Sequence, residues 1–584
     1  MRDYVLHTAV LVGTAALVLT ELLSPFHLLT RWPLGAAWLL AVLVWARLRP
    51  RAAVQWRFLP LETGLAVFTL AIGGIVALTA ILSPPNSADA MTYHLPRVVY
   101  WAQSGSVAFF PTPYLNQIML QPLAEYLMLH TYVLTGGDRL INLIAFAAYA
   151  GSIVGVSAIA AALGLNTRSQ AWAALFCATL PNAILQASSA KNDFLLAFWL
   201  VCAVYFAARR DAPYLALSAA LALATKGTAY LFLPPVLLYA AAVLPRRQLA
   251  WIAAAICLLN GPQYARNLQL SGSPLGFDSA QANGVFRWRN EHLTWKPAVS
   301  NALRHTSEQL GARSPRWNQS VYDVVVRIHR ALGIDPQDRD TTWPGARYAP
   351  PLNANHEANA NNRWHLLLIV AAAVFALGTR NRQWTLYAAA LVAAFLLFCL
   401  YLKWQPFLAR LELPLFVLGA PLAALLVEKL RYPAAAVILA LFLVNNARPV
   451  LFENWTRPLK GPLSLWVTAR DANYFSDMGQ WNNRPSYLES VDRTARSGCT
   501  RVGLDTSENQ VEYPFLALLR ERNPRVRFVH TGVANPSARY AAAGAPLPCA
   551  VLCPDCIANQ QKIALYKDIG PPIEIGRFLL FLAK

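Results

Sequence analysis

The chain has 584 residues, of which 56% are hydrophobic and only 14% charged. A water-soluble chain carries about 25% charged residues, so a soluble enzyme or scaffold is excluded and a polytopic α-helical membrane protein is expected. The net charge of +20 does not point to nucleic acid: the arginines sit in short loops between apolar runs, where they set topology and meet anionic lipid, and no basic domain of nucleic-acid type is present.

About thirteen apolar segments are expected as spans, near residues 5–24, 34–47, 62–82, 139–162, 170–188, 193–208, 213–226, 228–244, 250–265, 364–378, 384–402, 407–426 and 432–448. The first is expected to be a permanent span, because further spans follow it at once and no small-residue cleavage site leads into a soluble domain. The segments between 193 and 226 are short for a bilayer crossing, which takes about 20 residues. Arginine and lysine then set the orientation. RLRPRAAVQWR after the second segment, Arg168, Arg209 with Arg210, Arg246 with Arg247, Arg380 with Arg382, and Lys429 with Arg431 all fall on one face under this count, together with the N-terminus. That face is expected to be cytoplasmic.

The opposite, external face then carries two long loops, 83–138 and 267–363, and everything after about residue 450. The first loop opens SPPNSADAMTYHLPRVVYW, a polar and aromatic run with one carboxylate directly after an apolar segment. A carboxylate there can take a proton from a hydroxyl held at the membrane surface, and burial is expected to raise its pKa and improve it as a base. Asp89 is therefore the leading catalytic candidate. Ser87 and Asp89 also suit a helix cap, with Pro96 in a first turn, and the two roles are compatible. Asp193, in KNDFLLAFWL, begins a later segment. It reads as a dipole-favoured helix-start carboxylate or as a second acid facing Asp89.

Arg97, Lys191, Lys226, Arg266, Lys403 and Arg410 are the basic residues expected near the external face, where a phosphate needs such partners. Snorkelling to the headgroup layer is the plainer role for each. Lys226 and Lys403 interrupt apolar runs, which topology-setting charge on the other face does not explain. Tyr93 and His94 join this candidate binding set. His94, Glu125, His356, Glu357 and His365 could ligate a metal, but none has a zinc spacing. A divalent metal ion stays open as a cofactor.

The long loop 267–363 shows a helical pattern around 321–332 and no clear strand pairs. Domain 1–450 thus reads as the membrane part and 451–584 as a small external α/β domain. In the latter, TRVGLD, RVRFVH, CAVLC, KIALYKDI and a last IEIGRFLLFLAK read as strands and YPFLALLRERN as a helix. It has no glycine-rich phosphate loop. Its simplest role is a cap over the external face. Cys499, Cys549, Cys553 and Cys556 all lie in it, and an external location favours disulfides, with three pairings open. C-x3-C-x2-C can alternatively bind zinc.

An early external loop with an acidic residue followed by a juxtamembrane helix resembles the GT-C fold of membrane glycosyltransferases. Within it the likeness is to the protein O-mannosyltransferase and aminoarabinose-transferase superfamily (glycosyltransferase family 39-like). SADAMTYHLPRVVYW, KNDFLLAFWL, TKGTAY and KWQPFLARLELP carry the likeness, over roughly residues 60–430. It implies a polyprenyl-phosphate-linked sugar donor and transfer to an acceptor glycan, lipid or protein on the external face, with membrane lipid as a further partner. It also implies a multi-pass protein of the bacterial inner membrane with the active site and the C-terminal domain on the periplasmic side. Asp89 corresponds to the first-loop acid and Asp193 to the later one. Transfer would invert the anomeric centre, with Asp89 as base. Two departures stand out. Three segments precede the first loop instead of one, and the usual Asp-Glu pair is Asp89-Ala90. A transporter or flippase of a lipid-linked saccharide is the rival class; against it, the charges gather at one face and no internal repeat is visible.

Overall fold

The computed structural model describes residues 1–48, 60–277, 287–430, 432–477, 479–508, 510–542, 544, 546–557 and 559–583. The expected loop charges Arg49, Arg51, Arg57 and Arg431 lie outside the described residues.

The helices in chain order are α1 (Arg2–Leu23), α2 (Arg31–Leu48), α3 (Pro60–Leu82), α4 (Leu95–Ser104), α5 (Asn116–Met119), α6 (Leu123–Thr135), α7 (Leu143–Ala162), α8 (Thr167–Thr179), α9 (Pro181–Gln186), α10 (Asp193–Arg209), α11 (Ala212–Thr225) and α12 (Ala229–Val243). They continue as α13 (Arg246–Ser271), α14 (Trp295–Gln309), α15 (Pro315–Ala331), α16 (Arg363–Gly378), α17 (Arg382–Tyr401), α18 (Leu413–Glu428), α19 (Pro433–Phe452), α20 (Arg470–Asn473), α21 (Arg484–Arg496), α22 (Tyr513–Arg522) and α23 (Gln560–Tyr566).

Each expected apolar segment coincides with helix. Among the described residues five helices, α1 (extended to Phe26), α3, α7, α17 and α19, are long and apolar enough to cross a bilayer by length and composition, and α11, α12, α16 and α18 are shorter apolar helices. The segment expected at 170–188 is broken, because Pro181 cannot donate into the helix and restarts it as α9. The segment expected from 407 starts late: Leu408–Arg410 is a single 3₁₀ turn and α18 begins at Leu413.

The helices pack around a buried central one. In the middle, α10 is buried along nearly its whole length and packs on α7, α11 and α18. Gly151 and Gly155 of α7 allow this approach, since a Cβ at either would collide with Phe198 or Val201 of α10. Outside, α2, α3, α13, α16, α17 and α19 expose large apolar side chains such as Leu40, Leu70, Leu258, Val374, Leu396 and Ile438. In water such surface would be costly, and it marks the lipid-facing belt.

Among the described residues the C-terminal region carries one sheet of five strands: β1 (Arg501–Leu504), β2 (Arg527–His530), β3 (Ala550–Cys553), β4 (Pro572–Ile575) and β5 (Phe578–Leu582), in the order β2-β1-β3-β5-β4. β1 runs parallel to β2 and β3, with Val502 opposite Phe528 and Ala550; β5 runs antiparallel to β3 and β4. Two sequence expectations are corrected. KIALYKDI is largely helix α23, whose start is capped by the Asn559 side chain accepting from the Lys562 N–H. IEIGRFLLFLAK is a hairpin, not one strand, turning at Gly576 with φ 57°. The cysteines pair as Cys499–Cys549 and Cys553–Cys556.

Candidate functional site

The residue run after α3 does not pass directly into a regular helix. Ala90–His94 forms a π-helical turn, in which the Leu95 N–H reaches back five residues to the Ala90 carbonyl, before α4 begins. Such turns cluster at functional sites. Asp89 stands at the head of this turn. Its side chain makes no cap; Ser87 Oγ accepts from the Ala90 N–H instead. The Asp89 carboxylate points at two cations. Oδ2 accepts a hydrogen bond from Arg410 and lies 3.7 Å from Lys191 Nζ. The side chain stays 20% exposed, so the group is reachable.

Burial alone would raise the Asp89 pKa. Arg410 first, then Lys191 and His94, outweigh it and hold the carboxyl well below the usual carboxylate range. This corrects the expected upward shift: the neighbouring cations, not the desolvation, decide its charge. Tyr93, one turn on, moves the other way. Burial and the Asp89 charge push its phenol well above the ordinary tyrosine range, so it is a neutral hydrogen-bond donor.

Asp193 begins α10 and lies in the same electrostatic neighbourhood, where Arg410 and Lys191 both act on it. Its Oδ1 accepts from Lys226 Nζ at 2.5 Å, while its buried Oδ2 has no hydrogen-bond partner among the described residues. Lys226 follows the end of α11 and also donates to Asn192 Oδ1 at 2.9 Å. Two acid–cation pairs thus face one another at one end of the helix bundle: Asp89 with Arg410 and Lys191, and Asp193 with Lys226.

Behind Lys191 is a layer that the sequence reading assigned differently or missed. Lys191 Nζ donates to Glu357 Oε1 at 3.1 Å, and Ser189 Oγ does the same at 3.1 Å. The other Glu357 oxygen accepts from Arg457, which is fully buried and also donates to Asn86 Oδ1 (2.8 Å), Ser188 Oγ (3.2 Å) and the Leu185 carbonyl (3.0 Å). Glu357 entered only as a metal candidate, and Arg457, in NWTRPLK after the last apolar segment, carries no local signal of burial.

The remaining candidates are held elsewhere. Arg97 donates to the Ile118 and Leu120 carbonyls at 3.0 and 2.9 Å, lies 3.4 Å from Glu125 and stacks over Trp101. Arg266 forms a two-point pair with Glu21 at 2.7 and 2.9 Å. Lys403 donates to Glu291 and the Arg339 carbonyl, both at 3.0 Å. His94 Nδ1 is 2.8 Å from Glu125 Oε1, and its Nε2 is buried with no hydrogen-bond partner among the described residues.

The proposed metal ligands do not assemble. Glu125 is shared by His94 and Arg97, His356 is 3.0 Å from Asp477 Oδ1, Glu357 is shared by Lys191 and Arg457, and His365 meets Thr179 Oγ1 at 3.1 Å. Carboxylates neutralised by arginine and lysine are poor cation ligands, so these residues do not fit a metal ion. Among the described residues the one group spaced to hold an ion is Asp505, Cys553 and Cys556, where the two sulfurs are already joined and Asp505 accepts from Lys562 and Tyr566 at 2.6 Å each.

No family model and no curated protein matches the sequence. Solved structures do. A crystal structure of ArnT from Cupriavidus metallidurans bound to undecaprenyl phosphate aligns over 89% of this chain and 99% of its own, with a TM-score of 0.50 at 13% identity. The chain has a GT-C-like membrane fold. The resemblance read from the sequence holds at that level, for a multi-pass membrane protein with a small C-terminal sheet. An oligosaccharyltransferase from Archaeoglobus fulgidus also aligns, over 81% of this chain and 64% of its own, with 12% identity and a TM-score of 0.45.

Proposed function

We infer that the chain is a glycosyltransferase that takes a sugar from a polyprenyl-phosphate-linked donor and passes it, with inversion, to an acceptor on the external face of the membrane. The observation that carries this is the Asp89–Arg410–Lys191 cluster at the head of the first loop, in a fold shared with a protein crystallised with undecaprenyl phosphate. A single lipid phosphate needs cations at the membrane surface, and an acceptor hydroxyl needs a carboxylate beside them.

The geometry supports an exchange of partners. Without donor, Arg410 and Lys191 neutralise Asp89 and keep it a weak base. An incoming phosphate competes for the same two cations. As they turn to it, Asp89 loses its neutralising partners and its basicity rises. The acceptor O–H then gives its proton to Asp89 while its oxygen forms the bond to the anomeric carbon. The bond from that carbon to the phosphate oxygen breaks on the opposite side, and the electron pair leaves on polyprenyl phosphate, whose charge Arg410 and Lys191 stabilise. Lys226 holds Asp193 in place as the second acid of the site. The chain's orientation, with this site and the C-terminal region on the external side of a bacterial inner membrane, belongs to the same proposal.

The test is single turnover with purified protein in detergent and a polyprenyl-phosphate hexose or pentose. Release of free polyprenyl phosphate is expected. Arg410→Met should lose binding of undecaprenyl phosphate, because it removes the cation closest to Asp89. Unchanged binding together with absent release in the wild type would sink the proposal.

A further inference from the structure

The segment that carries Asp89 is held from outside the helix bundle, by residues that follow the last apolar helix. On its N-terminal side, Asn86 donates to the Thr456 carbonyl at 2.9 Å and to Ser476 Oγ at 2.8 Å, and the Ala88 N–H donates to Asp477 Oδ2 at 2.7 Å. On its C-terminal side, the Met91 carbonyl accepts from the Glu512 N–H at 3.1 Å. The Thr92 carbonyl accepts from Gln117 Nε2 at 3.0 Å, and that amide also donates to Glu512 Oε2 at 2.9 Å.

Glu512 itself is buried between the strand β1 and helix α22. Its Oε1 also accepts from the Tyr100 hydroxyl at 2.7 Å and lies 3.0 Å from His530 Nε2. Burial alone would raise the carboxyl; His530, Tyr100 and Gln117 instead hold it below the usual range, so it is a charged acceptor. One side chain thus joins the sheet through His530 of β2, helix α4 through Tyr100, and the first loop through Gln117, while its own backbone grips Met91.

A π turn is rare, occurs mostly as a single turn within a helix, and is frequently found at a functional site. Here the carbonyls of Met91 and Thr92 are both answered from outside the turn. We propose that Glu512, seconded by Asp477, is a positioning residue: the external domain fixes the π turn that aims Asp89, and is half of the active site's scaffold rather than a lid over it. The positioning role rests on Asp89 being the site's base; the clamp on residues 88–94 does not.

The experiment separates the two. Hydrogen exchange, read by mass spectrometry on full-length protein in detergent, should show peptides over residues 88–94 exchanging about ten- to a hundredfold faster in Glu512→Ala, the scale set by losing a hydrogen-bonded charged acceptor. Peptides from α3 and α10 should not change. Glu512→Gln keeps the shape and should fall between wild type and alanine, which serves if the alanine variant does not fold. Undecaprenyl phosphate should bind all of them alike, because Arg410 and Lys191 are untouched, while kcat for release of lipid phosphate falls about tenfold or more at constant KM. Unchanged exchange over 88–94 in both variants overturns the clamp. Faster exchange with unchanged kcat overturns the positioning role. If wild type transfers no sugar, the reading of Asp89 fails on that measurement alone, and the exchange result still decides the clamp.

Discussion

Asp89 and Glu412 show how neighbours, not residue type, set a carboxyl's behaviour. Asp89→Asn keeps the size and much of the hydrogen bonding to Arg410 but removes the proton acceptor. Single-turnover transfer should drop by about 10²–10⁴-fold with thermal stability nearly unchanged; near-normal turnover would shift the role to Asp193. Glu412, just ahead of α18, has no cation beside it among the described residues. Its Oε1 is 3.2 Å from His305, which burial pushes down to about 3 and so leaves neutral. Burial pushes the Glu412 carboxyl up to about 8 from an ordinary 4.5. The folded protein therefore keeps this proton while the unfolded chain loses it. Stability should fall as pH rises through the window from about 4.5 to about 8, on the order of 1 kcal/mol per pH unit for this group, and level off above it. Comparing melting temperatures of wild type and Glu412→Gln across that window checks the sign: the difference must grow in favour of glutamine as pH rises. The sequence could point to Asp89, Asp193, Lys191, Lys226 and Arg410, because each is a charge set at the edge of an apolar run. Arg97, Arg266 and Lys403 have the same signature. Their partners Glu125, Glu21 and Glu291 lie 28, 245 and 112 residues away, and no local pattern links them.

At the level of elements, apolar runs gave the helices plainly, because a bilayer demands length and hydropathy that the sequence displays openly. The short pieces were harder. KIALYKDI holds five apolar positions that fit a strand and a helix alike, and the Asn559 cap, outside that run, decides it. The layer under the site depends on an element contact that the sequence hides altogether. Arg457, just past α19, reaches α9 and the first loop through Leu185, Ser188 and Asn86, and its charge is answered by Glu357. Removing one partner of a fully buried pair strands the other. Glu357→Ala should therefore cost about 3–5 kcal/mol, a large share of a typical net stability, and loosen Lys191 as well. Arg457→Met with Glu357→Gln together should recover part of that loss, measured by thermal unfolding in detergent. Equal melting points for wild type and Glu357→Ala would show that the pair contributes nothing.

Across the whole molecule, the site and the loop arginines lie at opposite ends of the same helices. α10 begins at Asp193 in the site and ends at Arg209; at 1.5 Å per residue its 17 residues span about 25 Å. α11 returns from Asp211 to Lys226, beside Asp193 again. α12 leaves from Ala229 and ends two residues short of Arg246, and α13 returns to Gln263 and Asn267, which bond the Met119 carbonyl of the first loop. α16 and α17 repeat the pattern, with Arg380 and Arg382 at their junction and Lys403 at the return. Short loops rich in arginine are retained on the cytoplasmic side. The C-terminal region is tied to the other end through Glu512, Asp477 and Arg457, so it should be external, which also suits its two disulfides. A reporter active only outside the cytoplasm, fused after Lys584, should be active, and the same reporter fused at Arg210 should be silent. In the same cells, Cys499, Cys549, Cys553 and Cys556 should resist a thiol reagent until reduced. An inactive C-terminal fusion with an active one at Arg210 would invert the molecule, put the Asp89 cluster on the cytoplasmic side, and leave no external route for the acceptor.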